Sequence, residues 1–171
     1  NIPLRTGWKG EMRYGLLNDL RPNMKSFQYM VERYVALAYP KAEMVDSNSL
    51  GGLETLPRPR LAINAAEQLA TIKKFNLAQD QTIIGLCPGA EFGPAKKWPE
   101  THYAEVATQM ARSGHQIWLF GSQKDLETCN NIRALVPTQF HEDIHVLAGQ
   151  TSLIEAVDLL AACKTVVAND S

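Results

Sequence analysis

The chain has 171 residues and a formal net charge of −1, from 17 Lys and Arg against 18 Asp and Glu, with 45% hydrophobic and 20% charged residues. This composition excludes a disordered tail, a collagen-like repeat and a small disulfide scaffold, and the length is enough for a substantial core. The even charge balance argues against a dedicated nucleic-acid binder, and no apolar run approaches the roughly 18 residues of a membrane span.

Residues 1–25 read as irregular. Arg5, Lys9, Arg13, Arg21 and Lys25 face only Glu11 and Asp19 there. That local excess is either a solvated loop or an anion-facing surface with Trp8 and Tyr14 interleaved. A helix is predicted over 25–39. Phe27, Met30, Val31, Tyr34, Val35 and Ala38 form its apolar stripe, Ser26 its N-cap and Pro40 its end. The stripe is read as core. Residues 41–62 read as a linker, because Ser47-Asn48-Ser49 and Gly51-Gly52 are turn signals and Pro57-Arg58-Pro59 is stiff and extended. Asn64 can cap a helix running to about Phe75, which Asn76 can close.

From residue 82 the chain alternates strand and helix. Strands are predicted at 82–87, 115–120, 144–147 and 165–168, and helices at 100–113, 124–135 and 152–162. Short connections between them mean a parallel sheet with right-handed crossovers, and unbroken apolar strands mean burial on both faces. Strand 165–168 runs straight into Asn169-Asp170-Ser171, and the chain opens without Met. Both features are expected of a piece of a longer protein.

In such sheets, ligands bind beyond the carboxyl ends of the strands. The first of these loops, Pro88 to Pro99, holds Gly89, Gly93, Lys96-Lys97 and Trp98. Pro99 suits the first turn of the next helix, and a helix N-terminus beside a lysine suits a phosphate. An ordinary loop with solvent-facing lysines is the other reading, since neither a Walker A loop nor a G-x-G-x-x-G fingerprint is present. Ser122 with Asp125, and Ser152 with Glu155, read as capping pairs whose helix N-termini a ligand could share. Asp170 is either a cap or a ligand for a hydroxyl or a cation. Cys87, Cys129 and Cys163 are odd in number and widely spaced, which fits reduced, mostly buried thiols in a cytoplasmic protein. His102, His115, His141 and His145 lack ligand-like partners, and no metal motif is present.

The run Cys87-Pro-Gly-Ala-Glu-Phe-Gly-Pro-Ala-Lys-Lys-Trp-Pro99 resembles the bacterial ADP-heptose:lipopolysaccharide heptosyltransferases. So do the block from Arg5 to Asp19, Leu119-Phe120-Gly121-Ser122, Leu147 to Thr151, and Asn169-Asp170-Ser171, which matches the start of the family's N-D-S-G-x-x-H stretch. The likeness covers the whole chain and is greatest to the members that add heptose to the first heptose of the inner core.

The resemblance implies an α/β, GT-B glycosyltransferase of two Rossmann-like halves. Residues 1–40 would end the acceptor-side half, 41–62 would link, and 63–171 would form most of the half that binds the ADP-heptose donor. Lys96 matches the lysine that contacts the donor phosphates and stabilises the departing ADP. Glu91 and Phe92 lie near the phosphates through their backbone, Asp125 near the adenosine, Ser152 near the adenine, and Asp170 with Ser171 near the donor heptose. Arg13 would face the anionic lipopolysaccharide core. The family inverts at the anomeric carbon, and its general base is expected upstream of Asn1, so this piece alone is expected not to transfer heptose. No cofactor is implied beyond the donor, no nucleic acid is involved, and a peripheral contact with the inner membrane from the cytoplasm fits. Two competing readings are another GT-B nucleotide-sugar enzyme and a non-enzymatic flavodoxin-like binding module.

Overall fold

The computed structural model describes residues 2–56, 60–78, 80–91 and 93–169. It divides into two compact units, Asn1–Leu61 and Ala62–Ser171.

The second unit is built on a four-stranded parallel sheet in the order β5-β4-β3-β6. The strands are β3 (Ile83–Cys87), β4 (Gln116–Leu119), β5 (Ile144–Val146) and β6 (Thr165–Ala168). They agree with the four predicted runs to within one or two residues. Successive side chains of a strand point to opposite faces. Ile84, Leu86, Ile117 and Leu119 therefore pack on one side with Tyr103, Ala107, Cys129 and Ile132 of helices α3 (Glu100–Arg112) and α4 (Leu126–Leu135). Ile83, Trp118 and Phe120 pack on the other with Ile72 and Leu159 of α2 (Ala65–Lys74) and α5 (Leu153–Ala162). Each large side chain buried this way contributes about 1.5–3 kcal/mol. The indole N–H of the fully buried Trp118 donates to Gln116 Oε1 at 3.1 Å, so this interior polar pair is satisfied.

The helix ends follow local rules. Asn64 Oδ1 accepts from the amides of Ala66 and Glu67 and starts α2. Asn76, with φ of 52°, closes it, and the Leu77 amide returns to the Ile72 carbonyl. Pro99 stands one position earlier than predicted, at the N-cap of α3, where its carbonyl accepts from His102 and Tyr103.

The first unit departs from the reading of the sequence. Residues 1–25 contain two short parallel strands, β1 (Thr6–Trp8) and β2 (Asp19–Arg21). Arg21 is buried. Its guanidinium holds Asp19 and the carbonyls of Ala36 and Tyr39. Trp8 is buried against Phe27 with ring centroids 5.5 Å apart, so it is no part of a basic surface. Helix α1 is shorter than predicted, Met30–Ala36, and Tyr29 rather than Ser26 caps it. Its stripe is also reversed. Met30, Val31 and Tyr34 are exposed while Glu32 and Ala36 are buried, because Glu32 accepts from the Tyr29 amide and the Ser47 hydroxyl. Of the segment read as a linker, residues 41–56 fold onto this unit: Ser47–Leu50 and Leu53–Thr55 are 3-10 turns, and Met44 is buried with Trp8 and Phe27.

Helices α2 and α5 are tied by Lys74, which pairs with Glu155. That ammonium, together with the amide and hydroxyl of Ser152, holds the Glu155 carboxyl down at about 2 from an ordinary 4.5. A lowered folded value means that the ionised carboxylate stabilises the fold above the ordinary range, and that this contribution is lost as pH falls from about 4.5 toward about 2. The difference in urea midpoint between wild type and Lys74→Ala is therefore expected to be largest at neutral pH and to close toward pH 2. A difference that stays constant through the acid range would contradict this pairing.

Candidate functional site at the carboxyl ends of the strands

All four strands point the same way, so the loops that leave them gather at one edge. There, a cavity of about 480 Å³ lies between the loops after β3, β4 and β5. Its wall includes Glu91 from the first loop, Ser122 and Asp125 from the second, and Thr151, Ser152 and Leu153 from the third. Three residues singled out in the sequence, Glu91, Asp125 and Ser152, thus share one cavity.

Asp125 is held firmly. Its Oδ2 accepts from the Ser122 amide at 2.8 Å and the Ser122 hydroxyl at 2.7 Å. The capping pair exists, with the acid as acceptor and a 3-10 turn, Gln123–Asp125, leading into α4. The carboxylate lies against two loops that have no side chain at the point of approach. A Cβ on Gly89 would stand 2.7 Å from Asp125 Oδ1, and one on Gly121 would stand 2.6 Å from Asp125 Cβ. Ser152 caps α5 as predicted, accepting from the Glu155 amide at 3.3 Å, while Glu155 accepts from the Ser152 amide at 2.8 Å. The first turn of α5 therefore opens beside the cavity, with its positive dipole end toward it. Glu91 forms an exposed ion pair with Lys124 at 3.1 Å, a contact worth little in water. Cys87 lines the same cavity, and burial pushes its thiol up, away from the thiolate form.

Lys96 lies elsewhere on this edge. It ends a 3-10 turn, Pro94–Lys96, and lines a second hollow of about 490 Å³ with Lys97, Trp98, Tyr103 and Asn169. Among the described residues neither Lys96 nor Lys97 has an ion-pair partner. Trp98 stacks on His102 and meets the edge of Tyr103. The expectations for Phe92, Asp170 and Ser171 lie outside the described residues. Arg13 belongs to the first unit, where it pairs with Glu11 at 2.7 Å.

The sequence reading missed Lys124, the close approach of Gly89 and Gly121 to Asp125, and the bonding of Asn169 and Tyr103. A glycine on each of two neighbouring loops was visible in the sequence, but only the strand order shows that both meet the same acid. Among the described residues no group of three or more His, Cys, Asp or Glu could hold a metal ion, and no helix is long and apolar enough to cross a membrane.

The fit of Asp125 predicts a coupling. Gly89→Ala should destabilise the second unit by about 1–3 kcal/mol through overpacking. In an Asp125→Ala background the same change should be nearly neutral. Equal destabilisation in both backgrounds, measured by chemical denaturation, would show that Asp125 is not what Gly89 accommodates.

A family model described as glycosyltransferase family 9 (heptosyltransferase) matches residues 1–171. Lipopolysaccharide heptosyltransferase 2 of Escherichia coli strain K12 is 50% identical over 171 residues, which are 99% of this chain and 49% of that protein. Lipooligosaccharide heptosyltransferase 2 of Haemophilus influenzae is 48% identical, over 98% of this chain and 48% of its own length. A solved structure of the E. coli ADP-heptose LPS heptosyltransferase II superposes with a TM-score of 0.77 at 48% identity, covering 99% of this chain and 51% of that one. The chain thus spans about half the length of the curated relatives it matches. The parallel α/β architecture is that of a GT-B glycosyltransferase, as the family resemblance implied. On a family match over its full length, with half of its residues shared with a named relative, this chain belongs to glycosyltransferase family 9, the heptosyltransferases.

Proposed function

We propose that the protein containing this chain is an inverting glycosyltransferase that moves L-glycero-D-manno-heptose from ADP-heptose to the first heptose of the lipopolysaccharide inner core. The second unit would be the donor-binding half, and the first unit the end of the acceptor-binding half. The observation that carries this reading is the convergence of Glu91, Asp125 and Ser152 on one cavity at the carboxyl edge of a parallel sheet, with Lys96 in the hollow beside it.

The chemistry of the lining suits a purine nucleotide. Phe120, Leu153 and Ala156 offer apolar surface for the base. Asp125 spends Oδ2 on Ser122, so Oδ1 is left to accept from a ribose hydroxyl. The Lys96 ammonium would face the diphosphate. Transfer breaks the bond between the anomeric carbon and the diphosphate oxygen, and negative charge grows on the departing ADP. A fixed cation there favours the transition state over the ground state. The acceptor hydroxyl oxygen bonds to the anomeric carbon in place of the diphosphate oxygen and gives its proton to a general base. Arg13 is our candidate for contact with the anionic acceptor. The reading requires no cofactor besides the donor, and it places the protein in the cytoplasm at the inner face of the membrane, where the acceptor lipid is presented.

Calorimetric titration with ADP, UDP and GDP tests the donor site, after circular dichroism confirms folding. ADP is expected to bind best, and Lys96→Ala to weaken it roughly 10- to 100-fold, the value of one charge-assisted hydrogen bond. A preference for UDP would favour another GT-B nucleotide-sugar enzyme. If the intact protein binds none of the three, a non-enzymatic module would be the better reading.

A further inference from the structure

Asn169 follows β6 and uses its whole amide. Its Oδ1 accepts from the Trp98 amide at 3.0 Å and from the Tyr103 hydroxyl at 3.0 Å. Its Nδ2 donates to the Pro88 carbonyl at 2.7 Å and the Gly89 carbonyl at 3.3 Å. A primary amide offers two lone pairs and two hydrogens, and all four are engaged. Pro88 and Gly89 begin the loop between β3 and α3, and Trp98 stands at its end. One side chain thus grips both ends of the loop that carries Lys96. Tyr103 is buried and fixes the geometry from behind, its single hydroxyl hydrogen directed at Asn169 with the Cys87 carbonyl 3.3 Å away as the alternative acceptor.

We infer that Asn169 is a positioning residue, which closes the base of the 88–99 loop and thereby sets where the Lys96 ammonium stands relative to the donor diphosphate. The inference rests on the donor-site reading given above. The chemistry demands an amide at this position. A carboxylate could still accept from Trp98 and Tyr103, but it would set a second oxygen against two carbonyl oxygens where a donor is needed. An alanine would leave the Pro88 carbonyl and the Trp98 amide without this partner. Misplacement of a catalytic group by about 1 Å can lower a rate by about 100-fold, so the loss should appear in turnover rather than in acceptor binding.

The test is a double-mutant cycle in the intact protein, with heptose transfer and thermal stability read in parallel. Lys96→Ala, Asn169→Ala, Asn169→Asp and Tyr103→Phe are made singly, and each of the last three is combined with Lys96→Ala. Asn169→Ala and Asn169→Asp are expected to lower kcat about 10- to 100-fold with the acceptor KM unchanged. Tyr103→Phe, which keeps the packing of the ring, should lower it by a smaller factor. In the Lys96→Ala background all three changes should cost less than threefold, because the group they position is gone. A loss that is the same with and without Lys96, or that follows the fall in folded fraction, overturns the inference while leaving the donor site standing. If Lys96→Ala itself changes neither nucleotide affinity nor kcat, the donor-site reading fails and the inference fails with it. Should Asn169→Ala not fold, Asn169→Asp and Tyr103→Phe carry the cycle, and additive losses in both overturn the inference.

Discussion

A parallel sheet has two faces to cover and no short way back from the end of one strand to the start of the next. In the second unit this constraint fixes nearly everything else. Each connection must cross over as a helix, so α3 and α4 shield one face and α5 the other, where α2, which leads into β3, packs beside it. Both faces being dry, the central strands carry apolar residues at every position except where a polar group finds a partner inside, as Gln116 does with Trp118. Crossing over also brings every strand to its carboxyl end at the same edge. The cavity between the first three loops and the hollow around Lys96 are consequences of that shared polarity. A surface of loops alone would move; here the loops after β3, β4 and β5 are each anchored at both ends in packed structure.

This explains which features could be read from sequence. The runs 82–87 and 115–120 were legible because a strand buried on both faces needs no alternation to be recognised. The caps at Asn64 and Ser152 were legible because each acts on amides two or three residues away. The candidate site was legible only as a set of loops. That Glu91, Asp125 and Ser152 face one cavity while Lys96 faces another depends on the order β5-β4-β3-β6, which no local pattern states. Asn169 reads as a turn residue after a strand, yet its partners are 66 to 81 positions distant.

The first unit was less legible for a related reason. Strands of three residues carry too little pattern to reveal themselves. The five basic residues of 1–25 suggested a charged surface, but charge in a sequence does not disclose its partner. Arg21 turns inward to Asp19 and two carbonyls, and the Asp19 carboxyl is lowered chiefly by that guanidinium. In α1, periodicity located the helix and misjudged its buried side. The carboxylate of Glu32, bonded to Tyr29 and Ser47, points inward in place of the apolar stripe.

The reach of Asn169 also has a consequence in time. Pro88 leaves the ribosome 81 residues ahead of the side chain that binds it. At a synthesis rate of about 5–20 residues per second, the nascent loop waits roughly 4 to 16 s without its partner. Until β6 has joined β3, the Pro88 carbonyl and the Trp98 amide are left to water. The edge that gathers the candidate site residues therefore takes its shape only after β6 has been made, well after the loop that carries Lys96 has left the ribosome.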